Sequence, residues 1–91
     1  MSWFVYMVEA RTGELYTGVT TDPDRRVSEH NVSDRGARWC KARRPVALVW
    51  LEEAEGRSEA QRREAAVRRL KRVEKLDLVA ECKHPLLAKS S

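Results

Sequence analysis

Cationic and proton-active side chains crowd into one short segment near the N-terminus, LYTGVTTDPDRRVSEH, which covers residues 15–30. If its second half is helical, the four-residue spacing places Arg26 and His30 on one face, with no carboxylate to neutralise them. The same spacing predicts an exposed salt bridge between Arg25 and Glu29. The segment is therefore either a plain strand–turn–helix corner or one half of an active site that handles protons and anions.

Two tyrosines stand on neighbouring predicted strands, and alternation along a strand decides which face each of them occupies. Tyr6 belongs to an apolar segment at 3–9, and Tyr16 belongs to a segment at 14–20. A short glycine-containing loop joins the two segments, so we predict an antiparallel hairpin that pairs Tyr6 with Tyr16. Gly18 lies inside the second strand, where a glycine is costly unless something must approach the backbone closely.

A single carboxylate interrupts the apolar face of a later predicted helix. Ala60, Val67 and Leu70 are the apolar positions of a helix over 59–72, and Glu64 lies among them. A carboxylate on a core-facing stripe needs a partner, and a metal ion or a cation would supply one.

Cationic residues are concentrated around Trp39, in the predicted loop between the first helix and the third strand. A cationic loop with an aromatic side chain is what a phosphate-binding, base-stacking surface requires, although a solvated charged loop has the same composition. We predict nucleic-acid contacts for these residues of the loop: Arg35, Arg38, Lys41, Arg43 and Arg44.

The whole-chain composition is that of one small globular domain. The chain has 91 residues, is 42% hydrophobic and carries a formal net charge of +4, which permits nucleic-acid binding without requiring it. No apolar run is long enough to span a membrane, and the N-terminus lacks the pattern of a signal peptide. Cys40 and Cys82 lack the spacing of a zinc site, so we expect two reduced thiols in a cytoplasmic protein.

Turn and cap signals order the chain as β-β-α-β-α(-α). This is an α+β fold in which helices flank a small three-stranded antiparallel sheet. Thr21 or Asp22 can cap the first helix, which Pro23 opens. Ser58 and Gln61 predict a capping box for the second helix.

The C-terminal half completes this arrangement. The third strand is predicted at 46–53, and the last helical stretch is predicted to end at His84–Pro85. We predict a single domain over residues 1–82, followed by a C-terminal tail over residues 83–91.

These segments resemble the signature of the GIY-YIG nuclease superfamily. VYM at 5–7 and YTG at 16–18 resemble its two triplets, although the first reads Val-Tyr-Met rather than Gly-Ile-Tyr. TTDPDRRVSEH resembles the helix that follows the triplets, and REAAVRRLKR resembles the helix with the metal-binding glutamate. GARWCKARRPVALVW is similar to the loop and third strand of small stand-alone bacterial members, the YhbQ-like proteins. The resemblance covers nearly the whole chain, residues 3–80.

The resemblance implies hydrolysis of phosphodiester bonds in DNA with one divalent metal ion, Mg²⁺ or Mn²⁺, held by Glu64. It implies that Arg26 holds a phosphate oxygen and that Tyr16 is the general base on the attacking water. Tyr6 would orient the water or the phosphate, and His30 would relay a proton or contact the phosphate. Which of Tyr6, Tyr16 and His30 takes the proton stays open.

Two further nucleic-acid contacts are expected outside the basic loop. Gly18 permits close approach to the strand backbone. Many relatives carry an asparagine beyond the glutamate, but this chain has none there, and Lys75 lies in that part of the sequence. Contacts mainly to phosphates predict structure- or end-directed cleavage of DNA, in repair or recombination, with RNA left open as a substrate.

Two other functions are compatible with the same sequence. One is a non-catalytic nucleic-acid-binding module that uses the basic loop and needs no metal. The other is a protein-interaction domain that uses the apolar segment LDLVAECKHPLL.

Overall fold

The computed structural model describes residues 2–32 and 38–84, apart from the side chain of Trp39. It confirms the α+β order predicted above and adds a short helix, α2, inside the predicted basic loop. The elements are β1 Trp3–Ala10, β2 Leu15–Thr20, α1 Pro23–Val32, α2 Arg38–Lys41, β3 Val46–Ala54, α3 Arg57–Arg68 and α4 Arg72–Glu81. Arg35, the ring of Trp39 and most of the predicted tail lie outside the described residues.

The sheet has the strand order β2-β1-β3, and both pairings are antiparallel. β1 and β2 form the predicted hairpin, with Gly13 in its turn at a φ of 91°. Tyr6 lies directly opposite Gly18, and Tyr16 lies opposite Val8. The predicted direct pairing of Tyr6 with Tyr16 is therefore wrong by two positions, because the turn sets the register. Because side chains alternate along a strand with a period of two, a shift of two positions leaves both tyrosines on the same face of the sheet.

Each face of the sheet buries its own apolar cluster. On the first face, Tyr6 and Val8 pack with Cys40 of α2 and with β3, and Val27 of α1 packs against them. On the second face, the buried cluster is Val5, Met7, Trp50, Ala60 and Val67, which brings α3 against the sheet. Each fully buried valine or methionine among them contributes about 1.5–3 kcal/mol through burial. The two helical layers therefore cover opposite faces of the sheet.

Helix α1 begins as predicted. Pro23 is its first residue, and the Asp22 carboxylate accepts a hydrogen bond from the Arg25 N–H at 3.2 Å. Asp22 is therefore the N-cap of α1.

The predicted capping box of Ser58 and Gln61 is wrong. Helix α3 begins at Arg57, its N-cap is Gly56, and no side chain caps it. Ser58 thus lies inside the first turn. One half of such a box occurs instead at α4, where the Glu74 carboxylate accepts a hydrogen bond from the Lys71 N–H at 2.9 Å.

The C-terminal helical stretch is broken at residues 69–71 and ends at Glu81, three residues before the predicted stop at His84. Both cysteines are free, and the Cys82 thiol donates a hydrogen bond to the Leu51 carbonyl at 3.5 Å. Within residues 2–32 and 38–84, no helix is both long and apolar enough to cross a membrane.

Candidate active site

A buried tyrosine–histidine pair forms the centre of the candidate site. The Tyr6 hydroxyl and the His30 Nε2 atom are 2.7 Å apart, and the two residues are only 1% and 0% exposed. Burial raises the pKa of Tyr6 above its usual value. Burial, assisted by the charges of Arg26 and Arg44, lowers the pKa of His30 to about 4. The phenol therefore keeps its proton, and a buried hydroxyl needs an acceptor for it. We accordingly assign to the neutral imidazole the tautomer in which Nε2 accepts this hydrogen bond.

Arg26 adds a positive charge beside this pair. Its guanidinium is close enough to the Tyr6 hydroxyl to influence the pKa of that group, and it forms an ion pair with Glu29, with Nη1 and Oε1 3.1 Å apart. The predicted Arg25–Glu29 salt bridge is therefore wrong, as is the expectation that no carboxylate accompanies Arg26. Glu29 forms its ion pair with Arg26, three residues earlier, and Arg26 also lies near Tyr6.

Tyr16 completes the group from the neighbouring strand. Its ring meets His30 edge to face, with centroids 5.6 Å apart and planes at 72°. Tyr16 is half-buried, whereas Tyr6 is almost fully enclosed. The structure thus brings four of the predicted site residues together around one imidazole ring, and Tyr16 is the more accessible of the two phenols.

Gly18 is explained by the packing of Tyr6. A Cβ atom added to Gly18 would lie 2.5 Å from the Tyr6 hydroxyl oxygen and 2.7 Å from its Cζ atom. Real Cβ atoms do not approach other atoms so closely, so the phenol ring needs a glycine beneath it. The group that closely approaches the backbone at Gly18 is therefore the Tyr6 ring. This packing is sufficient to explain the glycine, so no nucleic-acid contact is needed to account for it.

The substitution Gly18→Ala is expected to cost about 2–3 kcal/mol of unfolding free energy, because the new methyl group must displace a fully packed ring. Denaturant unfolding measures this cost. Gly56→Ala is the matched control, since a Cβ atom there meets nothing within 4 Å. Equal stabilities of the two variants would contradict the packing role of Gly18.

The C-terminal end of α1 is held by two residues whose structural roles were not predicted. Arg44 donates from Nε to the His30 carbonyl at 2.6 Å and from Nη2 to the Glu29 carbonyl at 3.5 Å. The Asn31 amide donates to the Val46 carbonyl at 2.9 Å and accepts from the Val46 N–H at 2.7 Å. The last carbonyls of a helix need donors from outside it, and this requirement is the signal that points to Arg44. These bonds position the backbone of His30.

The basic loop is only partly available for nucleic acid. Arg43 forms an ion pair with Glu14 at 3.1 Å, and Arg44 is engaged at the end of α1 as described. Arg38 and Lys41 are exposed on α2. The predicted contact at Arg35 lies outside the described residues.

Glu64 lies on α3, and Ala60 and Val67 of that helix are fully buried against the sheet face opposite the tyrosines. Glu64 is half-buried and makes no hydrogen bond or ion pair with the residues that the structure describes. Its convergence with the tyrosine–histidine cluster stays a prediction.

Comparison with known proteins decides the family. The family model for the GIY-YIG catalytic domain matches residues 2–77. This chain belongs to the GIY-YIG family. The matched range contains every member of the cluster around His30 and also Glu64, so the candidate site lies wholly within the catalytic domain.

Relatives and solved structures agree with this GIY-YIG assignment. A UPF0213 protein of Desulfotalea psychrophila is 50% identical over 78 residues, covering 86% of this chain and 71% of the relative. A UPF0213 protein of Halobacterium salinarum is 46% identical over 71 residues, covering 78% and 91%. The solution NMR structure of a UPF0213 protein from Bacillus halodurans has a TM-score of 0.60 at 37% identity, covering 99% and 95%. An NMR structure of a protein from E. faecalis has a TM-score of 0.59 at 39% identity, covering 92% of each chain.

Membership of the GIY-YIG nuclease family identifies nucleic acid as the class of substrate. GIY-YIG nucleases generally depend on a divalent metal. The described residues contain no group of three or more His, Cys, Asp or Glu side chains that could hold such an ion. Mg²⁺ does not require such a group, because it keeps several waters and takes one or two carboxylates together with substrate phosphates. The half-buried, unpaired carboxylate of Glu64 fits a site of that kind.

Folding stability of this GIY-YIG domain is expected to fall between pH 6.5 and pH 4 because of His30. Its pKa is about 4 in the fold and 6.5 ordinarily, so in this window the unfolded chain binds a proton that the folded chain excludes. Stability therefore rises with pH across the window, and the loss between about pH 7 and about pH 4.5 amounts to about 2 kcal/mol.

Denaturant unfolding at the two pH values checks this loss, with His30→Gln as the comparison because glutamine does not titrate. Equal losses in the two proteins would show that His30 does not set the dependence.

Proposed function

We propose that this protein is a metal-dependent DNA nuclease that hydrolyses phosphodiester bonds at nicks, flaps, branches or ends, in DNA repair or recombination. The observation that carries the proposal is the buried Tyr6–His30 hydrogen bond, with Arg26 and Tyr16 beside it, inside a GIY-YIG catalytic domain. A domain that only bound nucleic acid would have no need to bury such a polar pair, since buried polar groups are costly.

Tyr16 is the candidate general base. Tyr6 is unsuited to that role because its phenol is buried, holds its proton and donates it to His30. His30 is neutral at pH 7, but its Nε2 lone pair is occupied by Tyr6. Tyr16, half-buried at the edge of the cluster, remains to take the proton when water attacks phosphorus and the ester P–O bond breaks.

Arg26 and Glu64 supply the charge that the phosphate requires. A guanidinium has five N–H donors, so Arg26 can hold a phosphate oxygen while it also contacts Tyr6 and Glu29. Glu64 would hold the divalent cation, Mg²⁺ or Mn²⁺. When bound, such a cation neutralises the phosphate and stabilises the leaving oxygen.

Contacts to the phosphate backbone position a substrate without reading its sequence. We assign such contacts to exposed Arg38 and Lys41, to Arg43 beside Glu14, and to half-buried Lys75 on α4. This assignment supports cleavage directed by DNA structure. RNA is the second substrate to be tested.

A panel of defined nucleic acids tests the proposal. Duplex, nicked, flap, branched and single-stranded DNA, and the matching RNAs, are incubated with Mg²⁺, with Mn²⁺ and with EDTA. We expect cleavage of at least one branched or nicked DNA with a metal ion and none with EDTA. Salt-sensitive binding without cleavage under any condition would instead support a non-catalytic binding module.

A further inference from the structure

The junction between α3 and α4 is the most cationic part of the described chain that the proposed mechanism leaves unused. Residues 68–72 read Arg-Arg-Leu-Lys-Arg, and all four cations of this run are exposed. Arg26, Arg43, Arg62 and Arg63 are each paired with a carboxylate. By contrast, Arg68 and Arg69 form no ion pair with any residue that the structure describes.

One contact joins this junction to the turn between β1 and β2, and another joins Arg43 to the same turn. Arg72 donates from Nη2 to the Gly13 carbonyl at 2.9 Å, and Arg43, which precedes β3, forms its ion pair with Glu14. The Arg11 N–H donates to the Arg43 carbonyl at 3.4 Å. One cationic surface therefore spans this end of the sheet, and we call it the turn surface: Arg11, Arg43, Arg68, Arg69, Lys71 and Arg72.

Charge on the turn surface is only partly neutralised. Glu14, whose carboxylate interacts with Arg43 and Arg72, lies beside it, and so does Glu74, which accepts a hydrogen bond from the Lys71 N–H. The surface therefore keeps an excess of positive charge, and exposed arginines without carboxylate partners are suited to phosphate oxygens.

The separation between the turn surface and Tyr16 indicates which phosphates of a bound DNA strand this surface would contact. Gly13 precedes Tyr16 by three residues, and its own backbone is in the turn, so the two backbones are at most about 10 Å apart. Phosphates on one strand of duplex DNA follow each other about every 3.4 Å along the helix axis, so this separation corresponds to at most about three nucleotides.

We propose that the turn surface binds the DNA backbone beside the phosphate that meets Tyr16, beginning within about three nucleotides of it. The placement rests on the proposed function, whereas the binding itself does not require cleavage. The turn surface thereby extends the contact with DNA to one side of the cut. Arg68, Arg69 and Arg72 carry it, together with the already assigned Arg43.

The test measures binding of a fluorescein-labelled duplex DNA by fluorescence anisotropy, in EDTA and over a range of salt concentrations. The double variant R68Q/R69Q is compared with R62Q/K83Q, which has the same net charge and also replaces two exposed cations of the described chain. We expect R68Q/R69Q to weaken binding at least about tenfold and to lower the slope of log K against log [salt] by about two. The control pair is expected to keep nearly the slope of the wild-type protein.

Equal slopes for the two double variants would overturn the assignment of the turn surface and leave the proposed nuclease function intact. If the wild-type protein binds no DNA even at low salt, both proposals fail together. Thermal unfolding verifies that each variant is folded. Should R68Q/R69Q not fold, the single variants R68Q and R69Q are compared with R62Q in the same assay, where equal slopes again overturn the assignment.

Discussion

Replacing Glu64 with alanine is expected to lower metal-dependent DNA cleavage by at least about a hundredfold while leaving the domain folded. Glu64 is half-buried on the face of α3 that packs against the sheet, yet it makes no hydrogen bond or ion pair within the described part of the chain. Its removal therefore breaks no such interaction that the fold uses. What is lost is the carboxylate available to a divalent cation.

Cleavage rates with Mg²⁺ and Mn²⁺ measure the effect, beside thermal unfolding. Glu59→Ala is the matched control: it removes a carboxylate from the same helix, but an exposed one that pairs with Arg62. We expect the control to cleave at nearly the wild-type rate. If Glu64→Ala and Glu59→Ala cleave equally well, Glu64 does not serve the reaction, and the metal must be held elsewhere.

The second large effect is expected on stability. His30→Ala should cost about 3 kcal/mol or more, because it empties a buried volume between two tyrosine rings and leaves the Tyr6 hydroxyl without its acceptor. A loss of this size is a large fraction of the free energy of unfolding of a small domain. Cleavage should fall as well, since Tyr6 then no longer has a fixed position next to Arg26.

Denaturant unfolding at neutral pH measures this cost, and His84→Ala is the matched control. His84 is the other histidine of the chain. It is half-buried near the end of the described residues, where it meets Phe4 edge to face. We expect the control to cost less than about 1 kcal/mol. An equal cost for the two substitutions would mean that His30 contributes no special stability to the sheet face that carries Tyr6.

Local signals in the sequence were sufficient for the elements that begin the chain. Apolar and aromatic composition, with a glycine-containing loop between the segments, predicted both strands of the hairpin. Asp22 with Pro23 predicted the start of α1, because cap geometry depends on a few adjacent residues. Four of the five predicted catalytic residues gather at one place for the same reason. Tyr6 and Tyr16 share a face by strand period, and Arg26 and His30 share one by helical period.

Contacts between distant segments were not predictable in the same way. Arg44 was assigned to nucleic acid on charge alone, yet tertiary folding brings it to the carbonyls of α1. Gly18 was interpreted as a site of ligand approach, whereas the approaching group is Tyr6, which only the strand register reveals. The Arg26–Glu29 pair also depends on tertiary packing, because helix spacing alone allows both the i, i+3 and i, i+4 partners.

The bonds between Asn31 and Val46 have a consequence for association between chains. β3 is an edge strand, and the outward N–H and C=O of Val46 would otherwise be free to recruit a strand from another molecule. The Asn31 amide occupies both groups as a neighbouring peptide unit would, and the Cys82 thiol occupies the Leu51 carbonyl farther along the same edge. An incoming strand would first have to displace them. The residue that follows His30 therefore protects the sheet against intermolecular β-pairing and aggregation.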